Sequence, residues 1–156
     1  MKSKEDVLNG GQVVAVCTSP RRGMAKSEVT GALFIAGSGI EGDAHAGPGE
    51  RQVSLLAEES IESMRARSGL TLEPGAFGEN LVTRGVDLTA LQPGDCLTAG
   101  EVRLRITRIG KECHNRCAIY YSAGDCIMPR EGVFAAVLQG GRVAPGDRLT
   151  RLDRAE

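Results

Sequence analysis

The sequence predicts a mainly β fold, barrel-like, with one principal helix at about residues 57–67 and short connecting segments. Three observations predict it. Apolar residues come in short runs, several alternating with polar ones; a single stretch carries helical signals; and 21 of the 156 residues are glycine, roughly double the usual ~7%. Glycine tolerates positive φ and tight turns, so this abundance fits many short elements joined by turns. Many short strands, one helix and frequent turns favour a closed or partly closed barrel. Aromatic residues are scarce, with no Trp, two Tyr and three Phe, so the core must be built from Val, Leu, Ile and Ala.

In chain order, residues 1–10 read as a flexible tail and 11–152 as a single domain, a length typical of one core. Gln12 to Cys17 is a short run rich in β-branched residues and suits a buried strand. Polar SPRRGMAKSE then reads as a loop. Gly31 to Ile35 and Arg51 to Leu56 are the next strand candidates, separated by GSGIEGDAHAGPGE, too rich in glycine for regular structure. Ala57 to Arg67 is the clearest helix: acids early, arginines late, Gly69 as a stop, and a thin apolar face of Ile61, Met64 and Ala66. Asn80 to Thr83, Cys96 to Thr98, Val102 to Ile109, Cys117 to Tyr121, Val133 to Leu138 and Arg148 to Leu152 follow as strand candidates. Val102, Leu104 and Ile106 alternate with Arg103, Arg105 and Thr107, the period of a half-buried strand. Pro93-Gly94-Asp95 and Pro145-Gly146-Asp147 echo each other, and each reads as a tight turn feeding a strand.

Nineteen basic residues against 20 acidic give a net charge of −1, which lacks the basic field that nucleic-acid binding needs. The polar start MKSKEDVLNG has no signal-peptide core, and no apolar run approaches the ~20 residues that span a bilayer. Five cysteines (17, 96, 113, 117 and 126), an odd number with no export signal, point to reduced thiols in a cytoplasmic protein.

The densest chemistry is Lys111-Glu112-Cys113-His114-Asn115-Arg116-Cys117, with Cys126 nine residues on. Three readings compete. Lys111, His114 and Arg116 beside Cys113 could hold it as a thiolate, since cations lower a thiol's pKa from about 8.5. Cys113, His114, Cys117 and Cys126 could instead hold a metal, the first and third having a common zinc-ligand spacing. Buried thiols acting as small hydrophobes are the third reading, and the preferred one for Cys17 and Cys96 in their apolar β patterns. Elsewhere, Asp43 and His45 pair an acid with one of two histidines, for ligand binding or for a capped turn. Glu79 and Asn80 stand beside a strand, for a site or for fixing a turn. Arg130 could bind an anion or form a surface ion pair with Glu131.

Taken in order, these segments resemble the MOSC family, named after the C-terminal domain of molybdenum cofactor sulfurase. The matching pieces are Gly42-Asp43 with His45, Arg51-Gln52-Val53-Ser54-Leu55-Leu56, Pro74-Gly75-Ala76-Phe77-Gly78-Glu79-Asn80-Leu81, Gly85-Val86-Asp87-Leu88, Gly94-Asp95, Cys113, and Gly132-Val133-Phe134 through Gly146-Asp147. The resemblance implies a β-barrel domain whose Cys113 carries sulfur as a persulfide or ligates molybdenum, with Cys117 as a second catalytic or resolving thiol. It implies molybdenum cofactor (molybdopterin) or an anionic pterin precursor as ligand, bound by Lys111, Arg116, Arg130 and Arg51, with Asp43, His45, Glu79 and Asn80 lining the same mouth. Partners would be cofactor-biosynthesis or sulfur-donor proteins, and any enzymatic step a sulfur transfer. Many members have Pro before the cysteine where this chain has Glu112, and the extra thiols resemble those of short stand-alone members. The alternative is a metal- or cofactor-chaperone module whose Cys/His cluster holds a metal and whose work is docking.

Overall fold

The computed structural model describes residues 10–110 and 131–152. Its elements are β1 (Gly10–Thr18), β2 (Ser27–Val29), β3 (Ala32–Ile35), β4 (Gly39–Ile40), β5 (Val53–Ala57), α1 (Glu58–Ser68), β6 (Leu81–Arg84), a 3-10 turn at Leu88–Ala90, β7 (Cys96–Ala99), β8 (Val102–Ile109), β9 (Val133–Gln139), β10 (Gly141–Val143) and β11 (Arg148–Arg151). Seven strands close a barrel in the order β1-β11-β7-β8-β9-β5-β6, back to β1. The far end of β1 also pairs with β2, and β10-β3-β4 form a separate small sheet. Every described pairing is antiparallel except β5 with β6, which α1 joins as a crossover.

Alternation sorts side chains between two apolar layers. In β5 all five residues are buried: Val53, Leu55 and Ala57 enter the barrel interior, while Leu56 joins Ala15, Cys17, Val82 and Phe134 in a second cluster with Ile61 and Met64 of α1. The expected alternation of β8 holds, with Val102, Leu104 and Ile106 buried and Arg103 and Arg105 outside. The helix starts one residue later than its composition suggests because Ala57 still pairs with Thr83 in the β5–β6 ladder. Glu58 and Glu59 open it, Arg65 and Arg67 close it, and Gly69 caps it at φ 70°. Ala66 is exposed, so the buried face is Ile61 and Met64 alone.

The glycine-rich stretch and the polar loop before it hold more order than expected. They contain β2 and β4, and β10 was likewise not foreseen. All three are too short to show a period, and their pairing is set by partners distant in the chain. The Cys117 to Tyr121 candidate lies outside the described residues. Both Pro-Gly-Asp echoes are the same turn: Asp95 accepts from the amide of Gln92 at 2.8 Å and Asp147 from that of Ala144 at 2.9 Å, with Gly94 at φ 98° and Gly146 at φ 94°. Each turn then clamps a barrel strand by two backbone bonds, Gly94 and Asp95 on Ile106, Gly146 and Asp147 on Val13.

Candidate functional site

Three loops meet where β1 ends and where β5 and β6 begin: residues 19–26, 41–52 and 74–80. The amide of Ala44 bonds the Ser19 carbonyl at 2.8 Å, and the amide of Lys26 bonds the Gly75 carbonyl at 2.8 Å, stitching the three together. At the junction lies Lys26, buried with its side chain fully covered. A lysine is almost never buried so unless paired. Its ammonium donates to Asp43 Oδ1 at 2.8 Å and to Ser19 Oγ at 3.1 Å, and lies 3.0 Å from His45 Nδ1. Asp43 accepts further from the amides of Ser19 (3.0 Å) and His45 (3.1 Å). Burial alone would raise the Asp43 carboxyl, but the Lys26 bond, the two amides and the lysine's charge outweigh it, leaving the carboxyl below its ordinary value. The His45 side chain is 29% exposed, the accessible edge of an otherwise closed cluster.

Glu79 and Asn80 act on backbone. Glu79, fully buried, accepts from the amides of Gly75 and Phe77, each at 3.0 Å, and so ties down the turn that precedes it. Burial raises its carboxyl above the ordinary value, with those amides, its own amide and the Lys26 charge pulling the other way. Asn80 Oδ1 accepts from the Ser54 amide at 3.0 Å, and its Nδ2 donates to the Cys17 carbonyl at 3.0 Å. One side chain thereby bridges β1, β5 and the start of β6. Gly75 must lack a side chain: at φ 91°, a Cβ there would sit 2.1 Å from the Lys26 carbonyl oxygen. Cys17 is buried beside these groups, and desolvation, then Glu79 and Glu28, push its thiol up to about 12 against the pull of Lys26.

Ser54 pairs with Phe134 across β5–β9, so Phe134, Ser54 and Asn80 form one outer cross-strand row. The Arg51 guanidinium lies 5.4 Å from the Phe134 ring centroid, at cation–π range. This brings Arg51 to the same wall of the barrel as Asn80.

The MOSC domain family model matches residues 41–150. The chain belongs to the MOSC domain family. That family is associated with the molybdenum cofactor and with sulfur chemistry. Among solved structures, this MOSC chain is similar to the YuaD protein from Bacillus subtilis, with a TM-score of 0.75 and 17% identity over 90% of this chain and 94% of that one. It is also similar to YiiM from Geobacillus stearothermophilus, with a TM-score of 0.71 and 21% identity over 92% of this chain and 76% of that one. YiiM from Escherichia coli gives a TM-score of 0.64 and 21% identity over 94% of this chain and 70% of that one. At these identities the likeness speaks for the fold. No curated protein matches the sequence.

Within the MOSC barrel, the structure brings Asp43 and His45 together and sets Arg51 and Asn80 along one wall, with Glu79 behind. Lys111, Cys113, Arg116, Cys117 and Arg130, with His114 and Cys126, lie outside the described residues. Their segment joins the barrel at Gly110 and Glu131, at the strand ends where α1 begins. The Asp43 cluster sits at the opposite ends. Beside Glu131 is a cleft of about 390 Å³ lined by Ala57, Glu59, Ser60, Val86, Asp87 and Leu88 among others. Cys96 corrects the expectation of a buried thiol: Leu97 and Ala99 take the interior, so Cys96 is half-exposed on the outer face opposite Arg105. Lys26 and Ser19 were missed by sequence reasoning. A lysine in a polar loop gives no sign of burial, because its partners lie at Asp43 and His45, in a different loop.

Proposed function

We propose that this MOSC protein binds the molybdenum cofactor, or an anionic pterin precursor, and carries sulfur through Cys113. The observation that supports it is the family match over residues 41–150, which includes Cys113. The described residues fit such a ligand through its phosphate. The carboxylates of Asp43 and Glu79 are engaged by Lys26 and by backbone amides, which leaves them poorly suited to hold a metal. Arg51 is exposed, and a guanidinium fork matches phosphate oxygens. His45 adds an accessible imidazole edge. Among the described residues no group of three or more His, Cys, Asp or Glu could hold a metal ion. When bound, the cofactor supplies a molybdenum centre that takes soft sulfur ligands. Arg51 and His45 would orient the phosphate at the barrel end opposite Gly110 and Glu131, between which Cys113 lies in the chain, while Lys26, Asp43, Glu79 and Asn80 hold the loops that carry them.

The test is mass spectrometry of protein purified from its own host, scoring bound pterin and a persulfide on Cys113. Brief alkylation across pH 5–9 accompanies it. Cys113 is expected to label faster than an unfolded thiol at neutral pH, as a thiolate carrier should, and Cys113→Ala to abolish both that labelling and the persulfide. No pterin, no persulfide and ordinary reactivity at Cys113 would reject the reading. Stoichiometric zinc that resists dialysis would point instead to the chaperone alternative.

A further inference from the structure

We propose that Lys26 is a positioning residue that locks His45 as a neutral imidazole with its proton on Nε2, making it a hydrogen-bond donor rather than a base or metal ligand. An ammonium has three donors and no acceptor. In Lys26 they face Asp43 Oδ1, Ser19 Oγ and His45 Nδ1 at 2.8, 3.1 and 3.0 Å. The first contact is an ion pair with both side chains fully covered, and it fixes the lysine as a cation. Two of the donors are therefore absorbed by oxygens, and the third meets Nδ1, which can only accept it through a lone pair. The proton of a neutral ring must then be on Nε2. A ligand metal needs a ring nitrogen with a bare lone pair: Nδ1 offers its lone pair to Lys26, and Nε2 carries hydrogen. An N–H is what an anionic oxygen requires.

The charges facing His45 compete. On its own loop Asp43 Oδ2 lies 3.8 Å from Nδ1 and favours the imidazolium. From the 19–26 loop, Lys26 opposes protonation at shorter range, and Arg22, whose Nε donates to the Ala44 carbonyl at 3.4 Å, adds a second cation next door. Glu79 acts at one remove, through its attraction for Lys26. The lysine contact is the shorter one and needs the neutral ring, so it decides the tautomer. The functional role of this donor rests on the anionic-ligand reading above; the lock itself does not.

The experiment is long-range ¹H–¹⁵N NMR of the histidine rings in the full chain, with His45 assigned by the signals lost in His45→Gln. In the native protein at pH 7–8, His45 should show a bare Nδ1 and a protonated Nε2. In Lys26→Met, Nδ1 becomes free to take a proton toward Asp43, so the ring should populate the imidazolium and its pKa should rise by about one unit or more. Native His45 with its proton on Nδ1, or a cationic ring at pH 7, would overturn the lock; so would an unchanged tautomer and pKa in Lys26→Met. If Lys26→Met does not fold, the native tautomer still decides the matter. Titration with inorganic phosphate separates the two claims. Movement of the His45 Nε2 signal supports the donor's role, whereas an intact lock that phosphate never perturbs sinks the anionic-ligand reading alone.

Discussion

Cys17 and Cys96 differ only in which way their strands turn them, and that decides their chemistry. Cys17 faces the layer beneath α1, where burial and the nearby Glu79 hold its thiol protonated up to about pH 12. Cys96 stands half-exposed on the outer wall. Since only the thiolate alkylates, Cys96 should react at least tenfold faster than Cys17 in the folded protein, and the two should converge in denaturant. Peptide mapping after timed alkylation checks this; equal protection of both thiols would show that the outer wall is covered. Glu79 illustrates the same control by surroundings, since a carboxylate that looked available for ligand binding is wholly taken up by the amides of its own turn.

The elements that were legible in the sequence are those whose own residues carry the pattern. Val102–Thr107 alternates strictly and Val102–Ile109 forms β8 at the expected bounds, and the acid-to-base gradient before Gly69 marks α1. The short strands β2, β4 and β10 carry no period of their own and exist because a longer strand offers an edge. The site divides similarly. Asp43, His45, Glu79 and Asn80 could be named from family-like segments, while Lys26 could not, because burial of a lysine is decided by loops elsewhere in the chain. Asn80 shows how such a loop is held: its amide replaces ladder bonds among three strands at once. Asn80→Ala should cost about 2–4 kcal/mol, since it strands the Ser54 amide and the Cys17 carbonyl away from water. Urea unfolding would measure it, and a loss under about 0.5 kcal/mol, the range of an ordinary surface change, would remove Asn80 from this role.

For the whole molecule, two buried carboxyls with opposite shifts shape stability against pH. Asp43 is lowered in the folded state, so its stabilisation is present above its ordinary value near ~3.9 and is lost as pH falls through the lower folded value. Glu79 is raised, so its contribution is complete below its ordinary value near ~4.3 and is lost as pH rises through the higher folded value. Stability should therefore climb as pH is lowered through the raised Glu79 value toward its ordinary ~4.3, and drop once pH passes below the ordinary Asp43 value of ~3.9. Urea midpoints across pH 3–8 would trace this. Asp43→Asn should flatten the acid fall and Glu79→Gln the rise from neutral; a native curve that declines steadily from pH 8 would contradict the Glu79 assignment.

The single parallel pairing among the described strands has a cause that reaches around the barrel. Thr98 of β7 faces Thr150 of β11, and each sits at the same place after a Pro-Gly-Asp turn, so an approximate two-fold axis passes between them. It carries Ile106 onto Val13, each gripped by its turn, and the ladder irregularity after Ile106 onto the one after Val13. It also carries the Gly110–Gly132 backbone bond onto the Cys17–Asn80 bond. Strands β7-β8-β9 thus mirror β11-β1-β6 in path, running in opposite senses, and a seventh strand is left on the axis itself. No direction along the axis strand can oppose both neighbours, so one of its two pairings must be parallel; β5 lies antiparallel to β9 and parallel to β6. The crossover helix follows from that parity. Glu79 and Glu131 become counterparts at opposite ends of the barrel, with Gly110 and Glu131 at one end and the Lys26 loops at the other.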